Sequence, residues 1–479
     1  CGGPTAFRVT RIHMATFIEQ RTIGAIPEDE RHGRAWHLLP LWFSLNATVM
    51  AATTGAIGIS VGAGLVPTLI AIVVGNLIGS VFMAYHSAQG PQLGLPQMIQ
   101  SRAQFGFFGA ILPNLLAIIM YVGYFSGAGV IGGQAIASIF GIPTATGIII
   151  CNAITWFIAF AGYRVIHAFD RAMAAVSVIV LVLLFVAAIA HFGSAPPAES
   201  HPNFANFFLI LSIAASWQIT FAPYVSDYSR YLPTSQGGAK TFWYTLIGSC
   251  AGAITFMALG AIVGVYALDS LSGDAIVYLS SLSPVAAPVI AIILVLGMIG
   301  ANCDNLYGPY MAGLSTVTQA GGPPHVSRLV RAAVTGGFAL LGTAIGIFLS
   351  GDFLTNLQNL IMLLLCMLVP WTAINLVDFY LIHRGRYDVA EIVSMRGRYG
   401  LVNWKAIATY AVAVIVQIPF MSCALFVGPA ASALGGVDIA WIVGLVVAGG
   451  LHYVLNRSAA AQDADLPVAP ITAAAAVTA

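Results

Sequence analysis

Asp304 is the only acid in the middle of a long apolar stretch of this chain, and it lies between two amides, Asn302 and Asn305. An ionised carboxylate in hydrocarbon costs ~2.5–3.5 kcal/mol on insertion scales, so Asp304 must be paired, protonated or facing water. It reads as a proton acceptor or cation ligand; the plainer reading is a neutral acid bonded to its neighbouring amides. Asn302 and Asn305 each offer two donors and a carbonyl acceptor, which suits the amide and ring-nitrogen edge of a nucleobase. Gln218 offers the same groups from another stretch, and interhelical bonding is the alternative role for all three. A flat heterocycle also needs faces to stack on, and the expected arrangement has it stack between Tyr124 and Trp217. Tyr121, Tyr124 and Phe125 share one apolar run and Trp217 precedes Gln218, and base–aromatic stacking is worth ~1–3 kcal/mol. Tyr124 and Trp217 lie well inside their runs, which weighs against an interfacial belt. The chemistry indicated is reversible binding of a planar ring beside a titratable acid. HExxH and GxSxG patterns are absent and no paired intramembrane acids stand ready for acid–base work, so an enzyme is not expected.

The elements that must position these residues are apolar stretches near the ~20 residues a helix needs to cross the hydrocarbon core. About twelve are read: 37–64, 65–85, 107–140, 144–162, 172–193, 205–224, 241–267, 284–315, 330–349, 357–383, 405–428 and 437–455. All 18 Lys and Arg residues then fall in the N-terminal segment, alternate connections and the C-terminal end, whereas the intervening loops hold Glu199, Asp269, Asp274, Asp352 and Asp438. Positive charge stays cytoplasmic, which predicts a multi-pass protein of the inner membrane with both termini inside. Hydrophobic residues make up 59% and charged residues 7% of the chain, against roughly 25% charged in a soluble domain. A net charge of +1 leaves no footprint for nucleic acid. The six cysteines show no metal-binding spacing and read as buried small hydrophobes, and no cofactor is expected. Residues 1–36 read as a cytoplasmic segment, of which 1–13 look like an extension ahead of Met14; 37–457 form one transporter domain; 458–479 read as a disordered cytoplasmic tail.

A transporter needs free backbone groups at mid-depth, and interrupted helices supply them. Interruptions are expected at 51–58, at 217–223 ahead of Pro223, and at 297–305, which includes Gly300. Small residues in the first of these also suit close helix packing. The first and sixth helices correspond if 37–193 and 205–383 are two five-helix repeats, with 405–455 as peripheral helices.

Several segments resemble the nucleobase:cation symporter-1 family of purine–cytosine permeases and hydantoin transporters. They are Pro223-Tyr224-Val225-Ser226-Asp227-Tyr228-Ser229-Arg230-Tyr231-Leu232-Pro233, Gly75-Asn76, the loop 86–96 ahead of Arg102, and Tyr121-Val122-Gly123-Tyr124-Phe125. Pro370-Trp371-Thr372-Ala373-Ile374-Asn375-Leu376-Val377-Asp378-Phe379-Tyr380 and Arg384-Gly385-Arg386-Tyr387-Asp388 complete a likeness running from about Arg21 to Arg457. The resemblance implies an all-α polytopic LeuT-type fold, with two inverted five-helix repeats plus two C-terminal helices, working by alternating access. It also implies substrate contacts at Trp217, Gln218, Thr220 and Tyr124, and sodium-holding backbone carbonyls at Ala56 and Ile59. Sodium-coupled members complete that ion site with Ser or Thr hydroxyls on helix 8, yet none occurs here between Ser283 and Ser315. A hard cation needs several oxygen ligands, so either Asn302 or Asp304 substitutes or the driving ion is a proton on Asp304.

The reading is therefore a cation-coupled importer of purines or cytosine, with H+ favoured over Na+. A close alternative carries allantoin, hydantoin, uracil or a vitamin-like ring on the same fold; a channel or non-transporting receptor belongs to a different class. A small nucleobase and the lipid bilayer are the expected partners, with no obligate protein partner.

Overall fold

The structure is a computed structural model and describes residues 24–161, 163–192, 203–283, 286–319 and 327–458. The expected extension 1–13, the tail from 459 onward and Glu199 lie outside the described residues. The chain is helical almost throughout: α1 (Leu38–Asn46), α2 (Val49–Ser60), α3 (Leu65–Leu93), α4 (Ile111–Phe140), α5 (Thr144–Ala161), α6 (Tyr163–Phe192), α7 (Phe204–Ile219) and α8 (Val225–Ser229). There follow α9 (Gly237–Gly273), α10 (Ala275–Ser281), α11 (Ala287–Gln319), α12 (Arg328–Leu349), α13 (Phe353–Leu376), α14 (Trp404–Gln417) and α15 (Ala440–Asn456). Each expected apolar stretch falls on a helix or a broken pair of helices. The described runs long and apolar enough to cross a bilayer unaided are Leu65–Leu93, Ile111–Phe140, Thr234–Gly273, Ala287–Leu314 and Leu329–Ile382, the last passing through both α12 and α13.

The interruptions differ from expectation in two places. The first helix breaks at Ala47 and Thr48 rather than at 51–58, because Thr48 takes an extended backbone (φ −123°, ψ 156°) and its hydroxyl accepts the Ala51 N–H at 3.2 Å, an N-cap that starts α2 afresh. Residues 51–58 are continuous helix. Their small side chains serve packing instead: a methyl on Gly55 would lie 1.9 Å from the Met257 carbonyl oxygen of α9. The expected interruption at 297–305 does not occur, and those residues lie within unbroken α11. The sixth helix does break, at 220–224, just beyond Trp217 and Gln218. The eleventh expected stretch also ends early: α14 stops at Gln417, and a short antiparallel hairpin pairs Ser422 with Val427 and Cys423 with Phe426.

Two groups of helices face each other. One packs α1, α2, α3 and α7 with α9; the other packs α4, α5, α11 and α12. In the first group backbones touch through glycines: Gly75 and Gly79 of α3 lie against the Leu211 and Ala215 carbonyls of α7, and Gly260 of α9 against Ala52 of α2. Helices α14 and α15 lie outside, against α13.

Both ends of the described chain and the connections rich in Arg and Lys gather at one end of the bundle, called here the basic end. Arg31 Nη1 donates to the Pro91 carbonyl at 2.6 Å, Asn403 Nδ2 to Gln104 O at 2.8 Å, and Tyr380 OH to Tyr85 O at 2.7 Å. A buried polar chain stiffens this end. The Gln97 N–H donates to Asp227 Oδ1 at 2.7 Å, and the Gln97 amide reaches His86 Nδ1 at 3.1 Å and Gln89 Oε1 at 3.4 Å. Gln89 Nε2 donates to Asn375 at 2.8 Å, Asn375 to Gln104 at 3.2 Å, and Gln104 to the Tyr387 hydroxyl at 2.6 Å. Tyr387 donates to Asp378, whose other oxygen lies 2.8 Å from His452 Nε2.

Gly260 provides a test of the backbone contact. A methyl there would lie 1.6 Å from the Ala52 carbonyl oxygen, whereas one on Gly337 meets nothing within 4 Å. Gly260→Val is expected to cost about 3 kcal/mol or more through overpacking, and Gly337→Ala almost nothing. Thermal unfolding of the purified protein measures both; equal melting temperatures would show that α2 and α9 yield.

Candidate functional site

The two helix breaks meet inside the molecule. Asn46, the last residue of α1, is fully buried and joins them: its Nδ2 donates to Trp42 O at 2.8 Å and to Ser249 Oγ at 2.9 Å, while its Oδ1 accepts the Trp217 indole N–H at 2.8 Å. The Thr220 hydroxyl, at the C-cap of α7, donates to Trp217 O at 2.7 Å and lies 3.0 Å from the Tyr124 hydroxyl. Behind Trp217 the chain continues inward, as Ser249 donates to Gln218 Oε1 and Gln218 Nε2 donates to Asn76 Oδ1 at 2.7 Å. Each of these buried amides thus gives at least one donor to a neighbouring helix, which holds the rings beside the break in one orientation.

A cavity of about 70 Å³ lies at this junction, walled by Tyr124, Trp217, Thr220, Phe221, Tyr224 and Tyr228, with Asp304, Asn305 and Met298 from α11 opposite and Thr48 from the first break. A larger cavity of about 730 Å³ shares Leu45, Thr48, Tyr228, Met298, Ala301 and Asp304 with it. Because His37 and Pro40 at the start of α1 also line the larger cavity, it extends toward the basic end. Asp304 lines both cavities and makes no ion pair with a described Lys, Arg or His.

The fold brings Tyr124, Trp217, Thr220, Asp304 and Asn305 to one cavity, and Gly300 lines the larger one beside it. Other expected residues stand elsewhere. Tyr121 packs on Tyr224 with ring centroids 5.3 Å apart, behind the cavity wall. Phe125 is fully buried, and its carbonyl accepts Asn302 Nδ2 at 3.2 Å. Asn302 also accepts Asn305 Nδ2 at 3.3 Å, so of these two amides Asn305 is the one at the cavity and Asn302 positions it. Gln218 is fully buried and turned toward Asn76 and Ser249.

Two sequence expectations need correction on geometry. Ala56 and Ile59 lie in α2, beyond the break, where helical bonding occupies the carbonyls; Ile59 O accepts the Gly62 N–H at 3.0 Å. Carbonyls freed by an interruption are therefore sought near Ala47, eight residues or more earlier in the chain. Nor do Tyr124 and Trp217 form a parallel clamp: their planes cross at 90° with centroids 5.8 Å apart, leaving no slot between them. A ring can instead lie on the face of one and meet the edge of the other.

Several site residues were missed in the sequence. Tyr224 and Tyr228 stand in the segment that carries the resemblance, but were read there as a motif and not as pocket wall. Asn46-Ala47-Thr48 carried a usable signal, since a Thr N-cap after a short apolar helix marks a restart.

The chain matches the model of a family described as permease for cytosine/purines, uracil, thiamine, allantoin over residues 25–444. It is 39% identical to the putative purine-cytosine permease YxlA of Bacillus subtilis (strain 168), covering 92% of this chain and 96% of that one. Among solved structures it superposes on the inward-facing conformation of Mhp1 with a TM-score of 0.74 at 18% identity, over 94% of this chain and 95% of the other. On the closed conformation of Mhp1, a nucleobase-cation-symport-1 family transporter with bromovinylhydantoin bound, the TM-score is 0.69 at 19% identity, over 96% and 98%. The expected LeuT-type fold is thus the fold of this protein, a multi-pass membrane permease and not an enzyme. With broken helices meeting at a central cavity, and with family likeness along nearly its whole length, the chain belongs to the nucleobase:cation symporter-1 family of permeases.

Proposed function

We propose that this permease imports a purine base or cytosine together with a cation, by alternating access, with H+ as the coupling ion. The observation that carries the reading is the cavity itself: an aromatic wall from α4, α7 and the second break faces Asn305 and Asp304 on one turn of α11. A planar ring stacks on Trp217 or Tyr224, and the Asn305 amide reads its polar edge. The similarity to YxlA supports purines and cytosine as the substrate class.

At about 70 Å³ the inner cavity is far below the ~300–1,000 Å³ of typical ligand pockets. The substrate therefore occupies the junction with the larger cavity, where Thr48, Met298, Tyr228 and Asp304 line both spaces. The larger cavity extends to the basic end, which the positive-inside rule assigns to the cytoplasm. This reach toward the cytoplasmic end supports an inward-open state. Residues 37–193 and 205–383 serve as the inverted repeats, each opening with a broken helix.

Asp304 is the proposed proton site because it faces the substrate space without a cationic partner. Proton and substrate must each favour the other's binding, since linkage is reciprocal. Protonation neutralises the carboxylate beside an uncharged ring, so acid outside the cell drives loading.

Uptake of radiolabelled cytosine by cells expressing the protein tests the reading. Excess adenine, hypoxanthine, guanine, uracil and allantoin serve as competitors, at two pH values with and without sodium. Saturable uptake, competed by purines and raised by acid, is expected; sodium dependence without pH dependence would replace the proton by Na+. Trp217→Ala should raise KM for every ring substrate by about tenfold or more, given ~1–3 kcal/mol of stacking. Asn305→Ala should reorder the competitors, and normal transport by both variants would misplace the pocket. Asp304→Asn should retain exchange of labelled for unlabelled base but lose acid-driven accumulation. Acid-driven accumulation by that variant would remove Asp304 from the coupling step.

A further inference from the structure

A third cavity, of about 430 Å³ and sharing no lining residue with the other two, lies between α3, α13 and α15. Its wall is wholly apolar apart from the Tyr453 hydroxyl, and includes Phe82 of α3, Val377 and Leu381 at the end of α13, and Val446 of α15. Glycines make it concave. A methyl on Gly449 would lie 3.3 Å from Val377 Cγ2, while one on Gly450 meets nothing within 4 Å and would project into open space. Val446 to Tyr453 spans about 10 Å along the helix at 1.5 Å per residue, ending at the basic end. The stretch Val377–Ile382 on the opposite wall is a π-helical turn, a local widening that recurs at functional sites.

Positive charge follows both walls of the groove along the chain toward the basic end. Arg457 follows Tyr453 by one helical turn on the same face of α15, and Arg384 follows Leu381 by three residues at the end of α13. Both are exposed, and neither pairs with a described acid. Lys405 Nζ, 3.2 Å from the Leu455 carbonyl, brings a third cation to the same helix end. The nearby acids are engaged: Asp388 lies 3.6 Å from Arg398, and Glu391 accepts the Arg398 N–H at 2.8 Å. Arg384 is also the only described non-glycine residue with positive φ, at 53°. Glycine adopts that conformation at far lower cost, so a long cation held there calls for a use. Trp404, 71% exposed, and Tyr453 mark the level of the headgroups.

We propose that this groove seats one acyl chain of an anionic phospholipid whose phosphate is held by Arg384 and Arg457 at its mouth. A membrane-facing apolar slot fits an acyl chain, and unpaired arginines at its polar rim select an anionic headgroup over a zwitterionic one. The π-turn wall also carries Asp378, so the bound lipid braces the polar chain that ties α13 to α15.

Native mass spectrometry of the purified full-length protein tests this, with phosphatidylglycerol and phosphatidylcholine of identical acyl chains added in equal amounts. One phosphatidylglycerol per protein should be retained, in preference by about tenfold. Gly450→Leu, which fills the slot, should abolish retention of both lipids without lowering the melting temperature in detergent. Arg384→Gly combined with Arg457→Ala should retain both lipids equally; glycine keeps the backbone geometry, so this pair decides the matter even if the leucine variant misfolds. Equal retention by the wild type, or undiminished preference in the arginine pair, would overturn the proposal. A dimer that Gly450→Leu converts to monomer would overturn it too, by assigning the groove to a second copy.

Discussion

Hydrocarbon offers no hydrogen bonds to a protein backbone, and this constraint shapes everything else in the molecule. A helix that stops at mid-depth leaves N–H and C=O groups that must be satisfied by other protein groups or by water in a cavity. Among the described residues the chain stops so at Ala47 and at 220–224, and both stops are enclosed by neighbouring helices. The Thr48 hydroxyl caps one restart and the Thr220 hydroxyl takes the Trp217 carbonyl at the other stop. Asn46 spans between them, fixing the indole of Trp217. The candidate site is thus the place where the bundle has paid for broken helices, and its rings inherit their orientation from the bonds that cover the break.

The two sides of the site differ in their freedom to move. On one side α2, α3, α7 and α9 meet backbone to backbone through Gly55, Gly75, Gly79 and Gly260, and Gln218, Asn76 and Ser249 cross-link them from within. Contacts without intervening side chains leave little to repack, so these helices must shift as one body. On the other side α11 borders a cavity of about 730 Å³ together with α1 and α6. Rocking of α4, α5, α11 and α12 against the first group would change access and carry Tyr124 with it, while Trp217 stays with α7.

The segments that betray the family are not the ones that meet the cavity. Asp227, Asn375, Asp378 and Tyr387, with Gln97 from the loop after α3, belong to the buried polar chain at the basic end. Their chemistry is structural, since every polar atom drawn into that interior needs a partner of matching kind. Tyr124, Tyr224 and Tyr228 are the exceptions, serving motif and pocket together, the last two because the second helix break falls inside their motif. Recognition from such segments thus reaches the fold more directly than the cargo.

Sequence alone determined the helices and their order and predicted their sidedness, because apolar length and the placement of Lys and Arg are local properties that the bilayer reads directly. It also singled out Trp217, Tyr124, Asn305 and Asp304, since a polar or aromatic residue deep in an apolar run is conspicuous without a partner in view. It could not place the first helix break, because small residues at 51–58 serve a gap and a tight contact equally well. Only the approach of α9 to within touching distance of Gly55 chose between them. Nor could it separate Asn302 from Asn305, three residues apart on one helix: the carbonyl of Phe125 holds one, and the cavity receives the other. Tertiary structure decided these points because each depends on what a second helix presents across the gap, and no spacing along a single helix encodes that.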